Sequence, residues 1–495
     1  MRTLSYKFFS LLKYPNNKNV IGEKIQNSWK WSTQRDIVRY VNNAVEILEQ
    51  NNVKQNDRIL YKGKNSKEFL AWNLAANAKG CIWVSTYEDQ SIHHVNHILK
   101  DSKPKLFISD NDNDLDDVYE YDNNIITNKL NKSDKTFEFK QNSYDISTLI
   151  YTSGTSSLPK GVILTNSNIL SNIEAIERRF SDHDKQMTSL NILPWSHVFG
   201  YSTELWYNIL NGNSIAIAQD KTKFVDNLRE IKPQYIYVVP KVLDLIKNKV
   251  EKLEPFPLSD FTIPTALKYL FGGNIKNIFI GGAKLNPSTG EFFEKYGFFP
   301  CEGYGLSETS PVISVNHNFL PRDIKSVGKI LDNVIVEIVN NEIHVAGPSI
   351  MKGYWGKMYE TKKSFKMINN KKFYKTGDFG YVKDDFLYFT GRKSDNYKLS
   401  NGKFVDVFKI ENIVKNYVDG FFIIYGENLD YNVLITDSNI SNETKQKINE
   451  NLESYQKISK ILKVETSFFE SNLTKKLSIN RKNLVNQLNH PILKQ

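Results

Sequence analysis

Between residues 33 and 51, apolar side chains recur at Ile37, Val38, Val41, Ala44, Val45 and Leu48. That spacing follows the period of an α-helix and predicts one apolar stripe laid against a core. Residues 54–61 read as a turn and a short strand. Short apolar runs bounded by turn residues follow: Pro104-Lys-Leu-Phe-Ile-Ser-Asp110, Ser214-Ile-Ala-Ile-Ala218, Tyr235-Ile-Tyr-Val-Val239 and Asn277-Ile-Phe-Ile280. These read as strands, with helical stretches between them. The alternation predicts an α/β fold: a large N-terminal domain of parallel-rich sheets with flanking helices.

Residues 110–143 turn polar, rich in Asp, Asn and Lys with little periodicity, and predict a surface excursion inside the large domain. After Asp384-Asp385 the chain reads Phe-Leu-Tyr-Phe-Thr-Gly-Arg392, and the rest has its own strand and helix signals, enough for a small α+β domain. A chain of 495 residues exceeds what one core organises, so two domains are expected, 1–390 and 391–495.

Composition narrows the class. With 40% hydrophobic, 13% aromatic and 24% charged residues, the chain is a folded globular protein. The net charge of +10 suits nucleic acid, an anionic membrane face or phosphate-bearing cofactors alike. Residues 391–495 hold 16 Lys and Arg against 12 Asp and Glu, a thin excess that argues against a nucleic-acid partner. Cys81 and Cys301 are far apart with no Cys-x-x-Cys spacing, which argues against a zinc ribbon or disulfide scaffold and suits the cytoplasm. No apolar run reaches the ~18 residues of a spanning helix. The Phe8-Phe9-Ser10-Leu11-Leu12 cluster between Lys7 and Lys13 at most touches a membrane surface, so any membrane association is peripheral.

The stretch that carries chemistry is Leu149-Ile-Tyr-Thr-Ser-Gly-Thr-Ser-Ser-Leu-Pro-Lys-Gly161. Backbone N–H groups freed by Gly154, the hydroxyls of Thr152, Ser153 and Thr155, and the Lys160 ammonium can converge on a polyphosphate. It is not a Walker A loop, because Pro159 stands at that pattern's second glycine and Gly161 at its Ser/Thr. It resembles the Tyr-Thr-Ser-Gly-Thr-x-Gly-x-Pro-Lys-Gly signature of the AMP-binding, acyl-CoA synthetase and luciferase superfamily, with Ser157 in place of the usual glycine. Further motifs of that superfamily follow in its order and at about its spacings. They are Leu193-Pro-Trp-Ser-His-Val-Phe-Gly200, Gly281-Gly-Ala283, Glu302-Gly-Tyr-Gly-Leu-Ser-Glu-Thr309, Lys375-Thr-Gly-Asp-Phe-Gly380, and Gly391-Arg392 through Gly402 to Glu411.

The resemblance implies an enzyme that activates a carboxylic acid as acyl-AMP and passes it to a thiol, using ATP, Mg²⁺ and coenzyme A. It implies that Thr152, Ser153, Gly154, Thr155 and Lys160 hold the β- and γ-phosphates, with Thr155 and Glu308 at Mg²⁺. Tyr304 and Gly303 would lie against adenine, with Gly282 and Ser307 also in the nucleotide site. Asp378 would take the ribose hydroxyls, Arg392 would complete the site, and His197 would sit beside the acyl pocket and the reacting carboxylate. The small domain would swing about a hinge next to Arg392 between half-reactions. Tyr235-Ile-Tyr-Val-Val-Pro-Lys-Val-Leu-Asp-Leu-Ile246 and Lys398-Leu-Ser-Asn-Gly402 resemble the long-chain fatty acyl branch, which implies a medium- or long-chain fatty acid.

The C-terminal part departs from the pattern. The superfamily's adenylating lysine lies in Thr-x-x-x-Lys-x-x-Arg, and aligning Leu473-Thr-Lys-Lys-Leu-Ser-Ile-Asn-Arg481 on Thr474 and Arg481 puts Ser478 there. A neutral serine cannot replace an ammonium. Lys476, two residues back and on the same face of an extended segment, is the candidate for that catalytic role. Val407 stands where the superfamily usually has Pro, and Ser394 at its usual hinge Asp or Lys. Two alternatives stay open: an acyl-AMP ligase loading a carrier protein, and a degenerate homologue that binds nucleotide or acyl groups without efficient adenylation. Separately, His93 and His97 share a helix face at metal-ligand spacing, but no zincin Glu accompanies them and they read as part of a peripheral helix.

Overall fold

The computed structural model describes residues 3–11, 17–111, 125–138, 142, 144–152, 158–181, 186–253, 259–474, 479–488, 490 and 493. Ser153, Gly154, Thr155, Lys476 and Ser478 lie outside the described residues.

The first predicted helix runs Gln34–Gln50. Thr33 starts it: the Thr33 hydroxyl accepts from the Asp36 N–H while the Asp36 carboxylate accepts from the Thr33 N–H. This reciprocal cap satisfies donors that a helix end leaves open. Ile37, Val41, Ala44, Val45 and Leu48 are buried, as the apolar stripe requires. The four apolar runs form the strands Leu106–Ser109, Ser214–Ile217, Tyr235–Val238 and Asn277–Ile280.

The chain divides into two compact units, one of Met1–Val336 with Val345–Tyr374, the other of Glu337–His344 with Lys375–Gln495. The first holds two sheets. One orders its strands Gly353–Tyr354, Lys160–Thr165, Ile146–Thr152, Ile82–Tyr87, Arg58–Gly63, Leu106–Ser109 and Ile125–Thr127. From Ile146–Thr152 to Ile125–Thr127 every pairing is parallel. The other is parallel from Pro300–Gly305 through Asn277–Ile280, Tyr235–Val238, Thr188–Asn191 and Ser214–Ile217 to Asn19–Ile25. Parallel strands covered on both faces read as unbroken apolar runs, and Tyr235–Val238 and Asn277–Ile280 are buried at every position.

In the second unit, Phe422–Tyr425, Asn432–Thr436 and Ile458–Lys463 make a three-stranded sheet. Ile424, Leu434 and Ile458 from that sheet pack with Ile410, Val414 and Ile448 from its helices. The helix Val407–Val414 explains how the Pro-to-Val departure is tolerated. Proline suits a first helical position because it has no N–H to satisfy. Val407 restores that N–H, and the Asn396 Oδ1 accepts it at 3.0 Å while Asp406 caps the Lys409 N–H.

One expectation needs amending. Within residues 110–143, Ile125–Thr127 adds a parallel edge strand to Leu106–Ser109, a segment too short to register as a period. The helix Leu4–Ser10 runs into the N-terminal apolar cluster, with Leu4 and Phe8 buried and Phe9 half-buried. Its open N–H groups at Leu4 and Ser5 donate to the Asn166 and Asn77 side chains, which fixes it to the first unit. No helix among the described residues is long and apolar enough to cross a membrane.

Candidate active site

Thr152 ends the strand Ile146–Thr152, Lys160 begins the antiparallel strand Lys160–Thr165, and the two residues are direct cross-strand partners. The hydroxyl-rich stretch is thus tethered at both ends by one hairpin. His97 donates from Nε2 to the Pro159 carbonyl at 2.8 Å, so an imidazole at metal-ligand spacing instead holds the exit of that stretch. Among the described residues no group of three or more His, Cys, Asp or Glu is placed to hold a metal.

The Lys160 ammonium lies 5.3 Å from the centre of the Tyr354 ring, and the Tyr354 hydroxyl donates to the Glu308 Oε1 at 2.9 Å. Burial and the neighbouring Glu308 push the Tyr354 hydroxyl well above its ordinary pKa, so it stays a donor. The Glu308 carbonyl accepts from the Met351 N–H at 2.8 Å, which ties both ends of this residue to the segment carrying Tyr354.

Glu308 follows the strand Pro300–Gly305, which bears Gly303 and Tyr304, and sits in one helical turn with the buried Ser307. Gly305 cannot be larger, because a Cβ there would collide with the Pro311 carbonyl. Glu302, almost wholly buried in the same strand, pairs with Lys284 at 2.7 Å and accepts from the Leu285 N–H at 2.8 Å. It therefore clamps the turn containing Gly282, whose φ of +84° suits glycine.

His197 accepts from the Phe199 N–H through Nδ1 at 3.2 Å, which places its ring proton on Nε2. A buried polar network braces its loop. Asn65 donates to the Asn191 Oδ1 and the Leu193 carbonyl and accepts from the Trp195 N–H. Asn191 donates to the Leu193 carbonyl and to the Glu204 Oε2 at 2.6 Å. Glu204 belongs to the π-helix Phe199–Trp206, and burial raises its carboxyl well above the ordinary range. Close by, an apolar cavity of about 30 Å³ is lined by Phe180, Phe199, Tyr237, Phe279, Gly303 and Val312, with Tyr237 and Phe279 stacked at 4.8 Å.

In the second unit, Asp378 and Arg392 are cross-strand partners, with Nε 3.2 Å from Oδ1 and the carboxylate only 2% exposed. Arg481 pairs with Glu411, and Leu473 bridges Ile479 on either side of Lys476 and Ser478.

A model of the AMP-binding enzyme family matches residues 10–355, well over half the chain. The chain belongs to the AMP-binding enzyme family. This AMP-binding enzyme is 25% identical to a long-chain-fatty-acid–CoA ligase of Mycobacterium tuberculosis, over 77% of this chain and 72% of the relative. It is 24% identical to long chain acyl-CoA synthetase 4 of Arabidopsis thaliana, over 82% and 73%. Among solved structures, ATP-bound MatB from Rhodopseudomonas palustris superposes with a TM-score of 0.83 at 19% identity, covering 99% of this chain and 100% of that one. The o-succinylbenzoate CoA synthetase of Bacillus subtilis with ATP and magnesium ion gives 0.79 at 20%, covering 98% and 99%. These share the fold.

The residues of this AMP-binding enzyme suit a magnesium–polyphosphate ligand. Among the described residues no carboxylate pairs with the Lys160 ammonium, while Glu308 offers hard oxygens a short way along the same cluster. Tyr354, Asn65, Asn191 and Glu204 belong to no motif and escape a reading of the sequence, and Glu302 opens a motif without its clamping role being legible there. An acidic residue inside the apolar run Phe199-Gly-Tyr-Ser-Thr-Glu-Leu-Trp206 is the one available signal, since such a carboxyl is either buried or breaks the pattern.

Proposed function

We propose that this AMP-binding enzyme condenses a carboxylic acid with ATP to give acyl-AMP and pyrophosphate, then transfers the acyl group to coenzyme A. The observation that carries the proposal is the series Thr152, Lys160, Tyr354, Glu308, joined by the strand Pro300–Gly305 to an apolar cavity. A carboxylate oxygen must attack the α-phosphorus while pyrophosphate leaves, and two anions approach only when their charge is offset. Lys160, the hydroxyls of Thr152, Ser153 and Thr155, and the Gly154 N–H take the β- and γ-phosphates. Thr155 and Glu308 hold Mg²⁺, which when bound neutralises phosphate charge. Gly282, Gly303, Tyr304 and Ser307 enclose the adenine side, Asp378 accepts both ribose hydroxyls, and Arg392 completes the nucleotide site. His197 donates from Nε2 to the acid at the mouth of the cavity, and the Lys476 ammonium bridges the carboxylate and the α-phosphate in place of the usual lysine. The region beyond Gly391 turns about a hinge beside Arg392 for thioester formation.

The relatives' activities favour a medium- or long-chain fatty acid. A cavity of about 30 Å³ admits little more than one small group, so such an acid parts the Tyr237–Phe279 stack as it enters. Acid-dependent ATP–pyrophosphate exchange, with short, medium and long fatty acids and aromatic acids, tests this. Exchange with fatty acids supports the proposal. ATP binding without exchange for any acid favours the degenerate homologue that Ser478 suggests, and discharge to a carrier protein but not coenzyme A favours the carrier-loading ligase.

A further inference from the structure

Residues 351–374 carry seven lysines and one acid, Glu360, a net charge of +6 within the chain's +10. They include the helix Met358–Lys363 and the strand Phe365–Ile368, which returns through a tight turn at Asn369-Asn370. Both turn residues have left-handed φ, 48° and 59°, as two-residue hairpins favour. The segment surrounds an open cavity of about 730 Å³ whose lining combines Trp355 and Phe365 with Lys362, Lys366 and Lys372. Met358 is 87% exposed, Tyr359 75% and Met367 62%. Among the described residues no carboxylate pairs with Lys362, Lys363, Lys366 or Lys371.

Solvated lysines alone mean solubility, but large apolar side chains left in water among them do not. A lipid interface suits both: ammonium groups meet the phosphates while methionine and tyrosine side chains enter the acyl boundary. Nucleic acid would meet the charge and leave Met358 and Met367 unused.

We propose that residues 351–374 form a docking surface for an anionic lipid bilayer. The same segment supplies Tyr354, the partner of Glu308, so docking brings the bilayer and the candidate phosphate site onto one stretch of chain. The surface does not depend on the proposed adenylation.

The test uses the full chain and vesicles of phosphatidylcholine, alone or with one third phosphatidylglycerol. Binding is expected for the anionic vesicles only and falls with salt. The triple variant Lys362→Glu, Lys363→Glu, Lys366→Glu lowers the vesicle partition coefficient by about 100-fold or more. The pair Met358→Ala, Met367→Ala lowers it by about tenfold. Circular dichroism and pyrophosphate exchange with a water-soluble acid such as hexanoate stay unchanged in both. Equal binding to neutral and anionic vesicles overturns the proposal, as does equal binding by wild type and the triple variant. Lysine-dependent binding to duplex DNA without vesicle binding also overturns it. Vesicle binding by a protein that shows no exchange with any acid sinks the adenylation proposal alone.

Discussion

Replacing Glu204 with Gln is expected to stabilise the protein, and by more as the pH rises. Glu204 is wholly buried, accepts from Asn191 through Oε2, and has no partner at Oε1 among the described residues. Burial pushes its pKa well above the ordinary value, and the Asn191 hydrogen bond opposes that shift only in part. The folded chain therefore holds this proton more tightly than the unfolded chain does. The resulting stabilisation is complete below about pH 4.3, where the unfolded carboxyl titrates. It is lost as pH rises toward the folded pKa, at about 1.4 kcal/mol per pH unit. A glutamine keeps an acceptor for Asn191 and an N–H donor in place of the acid's O–H, without a titrating group. Between the unfolded and the folded pKa the variant should therefore gain steadily on the wild type as pH rises, by up to about 1.4 kcal/mol per pH unit. Thermal or urea melts of both proteins at pH 5, 6, 7 and 8, at matched ionic strength, measure the gap. Parallel stability curves would refute the assignment of Glu204 as a buried neutral acid. As a control, Glu204→Leu leaves Asn191 short of an acceptor and should be about 1–3 kcal/mol less stable than Glu204→Gln at every pH.

Tyr354→Phe removes the donor to Glu308, worth about 1.5–3 kcal/mol against a charged acceptor, so kcat/KM for ATP should fall about 10- to 100-fold with a higher Mg²⁺ requirement. An unchanged Mg²⁺ titration would remove Tyr354 from the site. Phe279→Ala should cost about 3–5 kcal/mol in a denaturant melt while shifting exchange toward longer or bulkier acids. An unaltered acid profile would disqualify the cavity as the acyl site. Lys476→Ala should abolish exchange, whereas a large gain from Ser478→Lys with no loss from Lys476→Ala would dismiss Lys476. Burial pushes the Cys81 and Cys301 thiols up to about 12, so neither should react with an aromatic disulfide at pH 8 until the protein unfolds. Fast labelling of the native protein would contradict that burial.

Elements with a strong local period are legible in the amino-acid sequence itself. The helix Gln34–Gln50 advertises itself through its stripe and through Thr33 and Asp36, and the buried parallel strands through unbroken apolar runs. Ile125–Thr127 is not legible there, since three residues carry no period and the strand exists only because Leu106–Ser109 offers an open edge. The candidate site divides the same way. Thr152 and Lys160 are close in sequence, and their motif names the chemistry. That Tyr354 bridges Lys160 and Glu308, or that Asn65 reaches the Leu193 carbonyl 128 positions away, depends on which strands become neighbours. Asp378 and Arg392 each belong to a motif, yet only the hairpin register makes them a pair.

The discontinuity of the second unit bears on how this enzyme can be recombined with a relative. Because Glu337–His344 belongs with Lys375–Gln495, the chain passes between units at three places rather than one. The short piece is bonded into its unit: the Glu342 carboxylate accepts from the Gly377 N–H and pairs with Lys393, and the Thr376 hydroxyl donates to the Ile343 carbonyl. A hybrid made by a single splice after Tyr374 would carry one parent's Glu342 against the other's Gly377 and Lys393. Exchanging both pieces together preserves these contacts, which makes a two-segment graft the unit of inheritance for this part of the fold.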